Sequence, residues 1–85
     1  MTTNELFDID AANPDTVAMY VPANAEYKGE VYGVVFKQAD GWYYCMIHTS
    51  YKFMNKTGLF PVQKHYKRFG ATVNKFMAKY GLVAA

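Results

Sequence analysis

The chain has 85 residues, of which 52% are hydrophobic and 18% aromatic, and its formal net charge at pH 7 is +2. This length corresponds to a single domain over residues 1–85, and the apolar content is sufficient for a hydrophobic core, which excludes a globally disordered chain. No apolar stretch reaches the roughly 18 residues that a membrane-spanning helix requires.

The chain contains one cysteine, Cys45, which excludes an intramolecular disulfide. Small secreted domains usually contain several disulfides, so the composition predicts a reducing, cytoplasmic environment. Residues 1–10 contain acidic residues and no basic one, unlike a signal peptide. The small size and dense Tyr and Lys usage are typical of accessory proteins that phages and mobile elements encode, in which case the environment is the host cytoplasm.

The charges are unevenly distributed along the chain. Residues 1–30 contain six of the seven carboxylates and a single base, and no carboxylate follows Asp40. The bases after Asp40 are Lys52, Lys56, Lys64, Lys67, Arg68, Lys75 and Lys79. This asymmetry bears on binding partners and solubility rather than on fold.

The N-terminal third is predicted to contain one strand. Thr2 and Glu5 have the spacing of a capping box, which would begin one short helical turn. The alternative for residues 1–13 is a flexible or docked N-terminal arm that contacts the domain through Phe7. Residues 16–21 are rich in β-formers and follow a turn signal, which predicts a strand.

The clearest β signal is a central hairpin over residues 30–49. Asp40-Gly41 separates two apolar runs and favours a two-residue type I′ turn, which would place Phe36 opposite Cys45. In that register one face, the predicted core face, carries Tyr32, Val34, Phe36, Tyr43, Cys45 and Ile47. The second face carries Val35, Lys37, Trp42, Tyr44, Met46 and His48. A slip of one residue would exchange these faces. A third strand is predicted at about residues 51–55.

The C-terminal segment is predicted to be one amphipathic helix over about residues 61–80. Its apolar residues recur at spacings of three and four, at Val62, Tyr66, Phe69, Val73, Phe76 and Tyr80, with Met77 beside them. Gly70 interrupts the pattern, either for a close approach to a strand or as a kink that splits the element in two. The predicted fold is therefore α+β, a small antiparallel sheet of three to four strands packed against one C-terminal helix.

The opposite side of this predicted helix is basic. It carries Lys64, Arg68, Lys75 and Lys79, with Lys67 adjacent, and no carboxylate. A solvated helix face usually mixes Glu with Lys, so uncompensated cations favour an acidic partner. A plain solvated surface remains an alternative, as does neutralisation by the acidic first thirty residues folding across it.

Lys37, Trp42 and Tyr44 form a second predicted cluster, on the second face of the hairpin. Aromatic side chains beside a lysine can stack on bases or serve as anchors in a protein interface. The alternative is that these rings pack against the N-terminal strand or arm.

Catalytic chemistry is not indicated. Cys45 and His48 differ by three positions in a strand and therefore point to opposite faces, which argues against a nucleophile–base pair. One cysteine and two histidines without ligand-pair spacing do not predict a metal site, and no cofactor motif is present.

These features predict a non-catalytic binding protein that regulates or inhibits a macromolecular partner. A protein with an acidic surface is favoured over nucleic acid, because dedicated nucleic-acid binders carry a larger positive surplus. The alternative is nucleic-acid binding, with the basic helix on phosphates and Trp42 and Tyr44 stacking on bases. Attachment to an anionic membrane surface ranks lower because the core needs the apolar stripe, and self-assembly is the remaining alternative.

Overall fold

The computed structural model describes all 85 residues and has an α+β fold, as predicted. Its helices are α1 (Thr3–Ala12), α2 (Tyr51–Thr57) and α3 (Ala71–Lys79), with a short 3-10 turn at Ala25–Tyr27. Its strands are β1 (Thr16–Pro22), β2 (Val31–Lys37), β3 (Tyr43–Thr49), β4 (Val62–Tyr66) and β5 (Leu82–Ala84). All neighbouring strands are antiparallel, in the order β4-β3-β2-β1-β5. The sheet therefore exceeds the predicted three to four strands.

The N-terminal helix α1 is longer than the single turn that its capping box suggested. The Thr2 hydroxyl accepts a hydrogen bond from the Glu5 amide at 3.1 Å. The ring of Phe7 packs edge-on against Tyr32 with centroids 5.4 Å apart, and the Tyr32 hydroxyl donates to Asp10 Oδ2 at 2.5 Å. Residues 3–12 are thus a docked helix, which combines the two alternatives for this segment.

The central hairpin forms, but its register differs by one residue from the prediction. Gly41 has φ 89°, its amide bonds to the Gln38 carbonyl at 3.0 Å, and the Gln38 amide bonds to the Trp42 carbonyl at 2.8 Å. These bonds describe a three-residue loop in which glycine at positive φ forms a bulge, rather than a type I′ turn. Phe36 consequently lies opposite Tyr44, and Val35 lies opposite Cys45.

This shift changes the composition of both sheet faces. The side that we call the α3 face carries Val31, Gly33, Val35, Tyr43, Cys45 and Ile47. The side that we call the α1 face carries Tyr32, Val34, Phe36, Tyr44, Met46 and His48. In the main core under α3, only β3 contributes the residues that the predicted register assigned, because a one-residue slip inverts the partner strand. Tyr32 and Val34 of β2 are buried on the α1 face instead.

Helix α3 covers the α3 face and completes the main core. Val73 and Met77 are fully buried, and Phe76 is 9% exposed. A Cβ at Gly33 on β2 would lie 2.5 Å from Met77 Sδ, so the absence of a side chain there allows α3 to approach the sheet closely. Helix α2 adds the buried Phe53 to the same core.

The predicted helix over residues 61–80 is wrong in its first half. Val62–Tyr66 is the edge strand β4, and the helix begins only at Ala71. Gly70 separates them with φ 127° and ψ −132°, a conformation that a residue with a Cβ rarely adopts. The alternative in which Gly70 splits the segment is therefore confirmed. The break is larger than a kink, because the first half is the strand β4 and the second half is the helix α3.

The predicted third strand at residues 51–55 is also wrong, because this segment is α2. The Ser50 hydroxyl accepts a hydrogen bond from the Phe53 amide at 3.1 Å and caps the helix. None of the three helices combines the length and the apolar character needed to cross a membrane.

Candidate functional site

Three of the five predicted basic residues converge, although they do not share one helix, whereas Lys67 and Arg68 lie outside this group. Lys64 lies on β4, whereas Lys75 and Lys79 lie one turn apart on α3. Together with Tyr66 and Phe76 they line a groove of about 560 Å³ between the strand and the helix, which we call the basic groove. Lys64 reaches it because it lies opposite Cys45 and so points to the α3 face.

The cations of the basic groove have no carboxylate partner. The ion pairs in the structure join Lys52 to Glu30 at 3.9 Å and Lys56 to Glu26 at 2.7 Å. The hydrogen bond from Lys56 holds the pKa of Glu26 below its usual value and raises the pKa of Lys56. The early carboxylates thus neutralise α2 and leave the basic groove uncompensated.

Aromatic rings position several of these ammonium groups. Lys64 Nζ lies 5.4 Å from the centre of the Tyr66 ring, and Lys79 Nζ lies 5.7 Å from the centre of the Tyr80 ring. Cation–π contacts at this distance stabilise an ammonium group while leaving its outer side open to solvent. Two of the three groove cations therefore lie over aromatic rings.

A second cationic cluster lies at the tip of the hairpin. Lys67 Nζ lies 5.3 Å from the centre of the Trp42 ring, and Trp42 is 37% exposed. The neighbouring Phe69 is 42% exposed and contacts Tyr43 with ring centroids 5.6 Å apart. Arg68 is exposed in the same loop between β4 and α3. We call Trp42, Lys67, Arg68 and Phe69 the tip cluster.

The predicted cluster of Lys37, Trp42 and Tyr44 does not form. The register places Lys37 opposite Tyr43, and its ammonium lies 6.0 Å from the centre of that ring. Tyr44 lies on the α1 face, where its hydroxyl donates a hydrogen bond to Gln63. The prediction failed because it depended on the two-residue turn, and Trp42 instead joins Lys67.

An aromatic row that the sequence pattern did not predict lies on the α1 face beyond the end of α1. Phe36 and Tyr44 stack with centroids 6.2 Å apart, and Tyr44 lies 4.9 Å from the His65 ring. Val17, which is 44% exposed, borders the same open surface. Only the correct register would have aligned these side chains from the sequence.

The geometry of Cys45 and His48 provides no nucleophile–base pair. Cys45 is fully buried in the main core, and burial raises the pKa of its thiol from 9.0 to about 11. His48 points to the α1 face and stacks on Tyr32 with ring centroids 5.3 Å apart. The thiol is therefore protonated at neutral pH and separated from the imidazole by the sheet.

No three side chains of His, Cys, Asp or Glu converge on a point that could hold a metal ion.

Comparison with known proteins provides no relative from which a role could be transferred. The chain matches no protein-family model, no curated protein and no solved structure.

Proposed function

We propose that this chain is a non-catalytic binding protein that regulates or inhibits a macromolecular partner by occupying an acidic surface on it. The observation that carries the proposal is the basic groove, in which Lys64, Lys75 and Lys79 converge without a counter-ion. Like charges held close together repel one another, and an acidic partner relieves that repulsion.

The spatial separation of charge supports the same proposal. Helix α1 carries Glu5 and Asp8 in exposed positions on the α1 face, and α3 carries Lys75 and Lys79 on the other side of the sheet. The two α1 acids therefore lie on the opposite side of the sheet from the basic groove. Long-range attraction through the groove would accelerate encounter, and exposed rings such as Trp42 would slow dissociation.

A protein partner is favoured over nucleic acid because a carboxylate lies beside the exposed tryptophan. Asp40 Oδ1 accepts a hydrogen bond from the Trp42 amide at 2.9 Å, which fixes a negative charge at the hairpin tip. A phosphate backbone following the tip cluster would approach this carboxylate. The low net charge of +2 also favours a protein partner, because nucleic-acid binders usually carry a larger positive charge.

A matched pair of charge-reversal variants tests the proposal. Lys75→Glu/Lys79→Glu reverses the groove, and Lys28→Glu/Lys37→Glu makes the same change at two exposed lysines outside it, so each variant moves the formal net charge from +2 to about −2. Each protein is used as bait to capture partners from the native host, with and without nuclease. A protein band that the unmodified chain and the control variant capture should be absent with the groove variant. Equal retention by both variants would show that the groove is merely solvated.

Nucleic-acid binding is the second candidate, and the tip cluster favours it. Exposed Trp42 and Phe69 rings beside Lys67 and Arg68 resemble the stacking platforms of single-strand binders. An electrophoretic shift assay over a salt series separates the candidates. Steeply salt-dependent binding that Trp42→Ala removes would support nucleic acid, and no shift at low salt would eliminate it.

A further inference from the structure

The basic groove runs beside an open strand edge. β4 is an end strand of the sheet, paired only with β3, and its central residues Gln63, Lys64 and His65 are exposed. An end strand offers unpaired backbone groups on its outer side, which another extended chain can pair with.

The hydrogen bonds of the hairpin identify which β4 groups are unpaired. The Gln38 amide bonds to the Trp42 carbonyl, and the Ser50 amide bonds to the Glu30 carbonyl. Hydrogen-bonded and non-bonded pairs alternate along an antiparallel ladder. The backbone N–H and C=O groups of even-numbered β3 residues therefore point to β2, and those of odd-numbered β3 residues point to β4. Cys45, opposite Lys64, therefore bonds to it, and the backbone N–H and C=O of Gln63 and His65 point outward.

The sequence limits this open edge to a short stretch. Position 61, the next outward-facing position, is Pro61, which has no N–H to donate. An added strand can thus form a bonded pair with Gln63 and with His65. Its residue opposite Lys64 would point to the α3 face, beside the basic groove.

We propose that the basic groove and the β4 edge together bind an extended acidic segment of a partner protein, which adds as a sixth strand to the sheet. Carboxylates at alternate positions of that segment lie over Lys64, Lys75 and Lys79. The intervening residues point to the α1 face and bond through their backbone to Gln63 and His65. This proposal rests on the proposed function and specifies how the acidic partner is held.

A second copy of this chain is a poor occupant of the same edge. Symmetric antiparallel pairing of two β4 strands would place two basic grooves side by side, with Lys64 central in each strand. Like charges in such proximity destabilise pairing. The edge therefore disfavours self-association and favours a chain of opposite charge.

Backbone N-methylation provides the decisive test. The probe is a short capped peptide of alternating Thr and Glu, titrated into ¹⁵N-labelled protein. Its binding should shift the amide resonances of Gln63 and His65. The Glu residues face the groove, so their amides point away from β4 and their N-methylation should leave affinity unchanged. N-methylation of the Thr amides should weaken binding about 10-fold or more, because two backbone hydrogen bonds are lost.

A variant of the protein tests the same bonds from the other side. Gln63→Pro removes one outward N–H and leaves the bonds between β4 and β3 in place, whereas Gln63→Ala retains the N–H. Only the proline variant should lose peptide affinity, with both variants folded by circular dichroism. No binding of the unmethylated peptide, or equal binding of both methylated peptides, overturns strand addition. The proposed function fails separately, if groove charge reversal leaves partner capture intact.

Discussion

A series of phenylalanine truncations tests the division of residues 61–80 into a strand and a helix. Phe76 is 9% exposed, Phe69 is 42% exposed and Phe60 is 70% exposed. A continuous helix would place Phe69 and Phe76 on one buried stripe, and their replacement by Ala would have similar effects. The structure places Phe76 in the core and Phe69 in the tip cluster, so the effects should differ.

The burial of each ring sets the expected loss of stability. Phe76→Ala should cost about 3–5 kcal/mol, the usual range for a buried phenylalanine. Phe69→Ala should cost roughly 1–2 kcal/mol, because much of that ring is already in water, and Phe60→Ala about 0.5 kcal/mol or less. For 85 residues the free energy of unfolding is of order 4–13 kcal/mol, so the loss in the Phe76 variant is a large fraction of the total.

Urea denaturation followed by far-ultraviolet circular dichroism measures these differences. At a slope of about 1–1.5 kcal/mol per molar urea, Phe76→Ala should lower the midpoint by about 2–5 M, against roughly 0.7–2 M for Phe69→Ala. The Phe60 variant is the control for a general effect of losing a ring. Equal midpoints for the Phe69 and Phe76 variants would refute the break at Gly70.

Three further changes give expected outcomes. Gly70→Ala should destabilise the fold by about 1–3 kcal/mol in urea melts, because Gly70 has φ 127°; in a continuous helix the same change would stabilise by about 1 kcal/mol. Burial raises the pKa of the Cys45 thiol from 9.0 to about 11, so this group's contribution to stability is complete below pH 9 and is lost as pH rises through 11. Between pH 9 and pH 11 the free energy of unfolding should therefore fall less steeply with pH in Cys45→Ala than in the unmodified chain. An equal slope in both would contradict the burial of the thiol. Tyr32→Phe removes the hydrogen bond to Asp10 and should accelerate amide exchange in α1 while leaving β3 protected; uniform acceleration would mean that α1 is not a separate docked unit.

Several elements could be predicted because local chemistry decides them. The strands β1, β2 and β3 follow from β-branched and aromatic runs between turn signals, and Thr2 begins α1 as its capping pattern indicates. The second half of the predicted helix also forms, with Val73 and Phe76 buried as its periodicity required.

The errors arose where two structures share one pattern. Asp-Gly fits both a two-residue turn and a three-residue loop with a bulge, and the choice between them exchanges the sheet faces. Val62 and Tyr66 are four residues apart, which places them on one side of a helix and equally on one side of a strand. Local spacing cannot distinguish these cases, and packing against β3 decides for the strand.

The candidate site was partly predictable. Lys64 still lies beside Lys75 and Lys79, but for a different reason than predicted. In the predicted helix it lay opposite Val62 and Tyr66, whereas in β4 it shares their side of the sheet because it pairs with Cys45. The pairing of Lys37 with Tyr44 depended on long-range register and did not form. The sequence thus predicted that Lys64, Lys75 and Lys79 lie together, but not that a strand and a helix hold them.

The placement of α1 and α3 on opposite sides of the sheet gives the molecule an electric dipole that its small net charge conceals. Glu5 and Asp8 are exposed on α1 on one side, and Lys75 and Lys79 are exposed on α3 on the other. In the field of a negatively charged surface this dipole produces a torque that rotates the molecule until the lysines face that surface. Adsorption to a cation-exchange matrix should therefore occur in one preferred orientation, with α1 facing the solvent, and raised ionic strength should abolish that alignment.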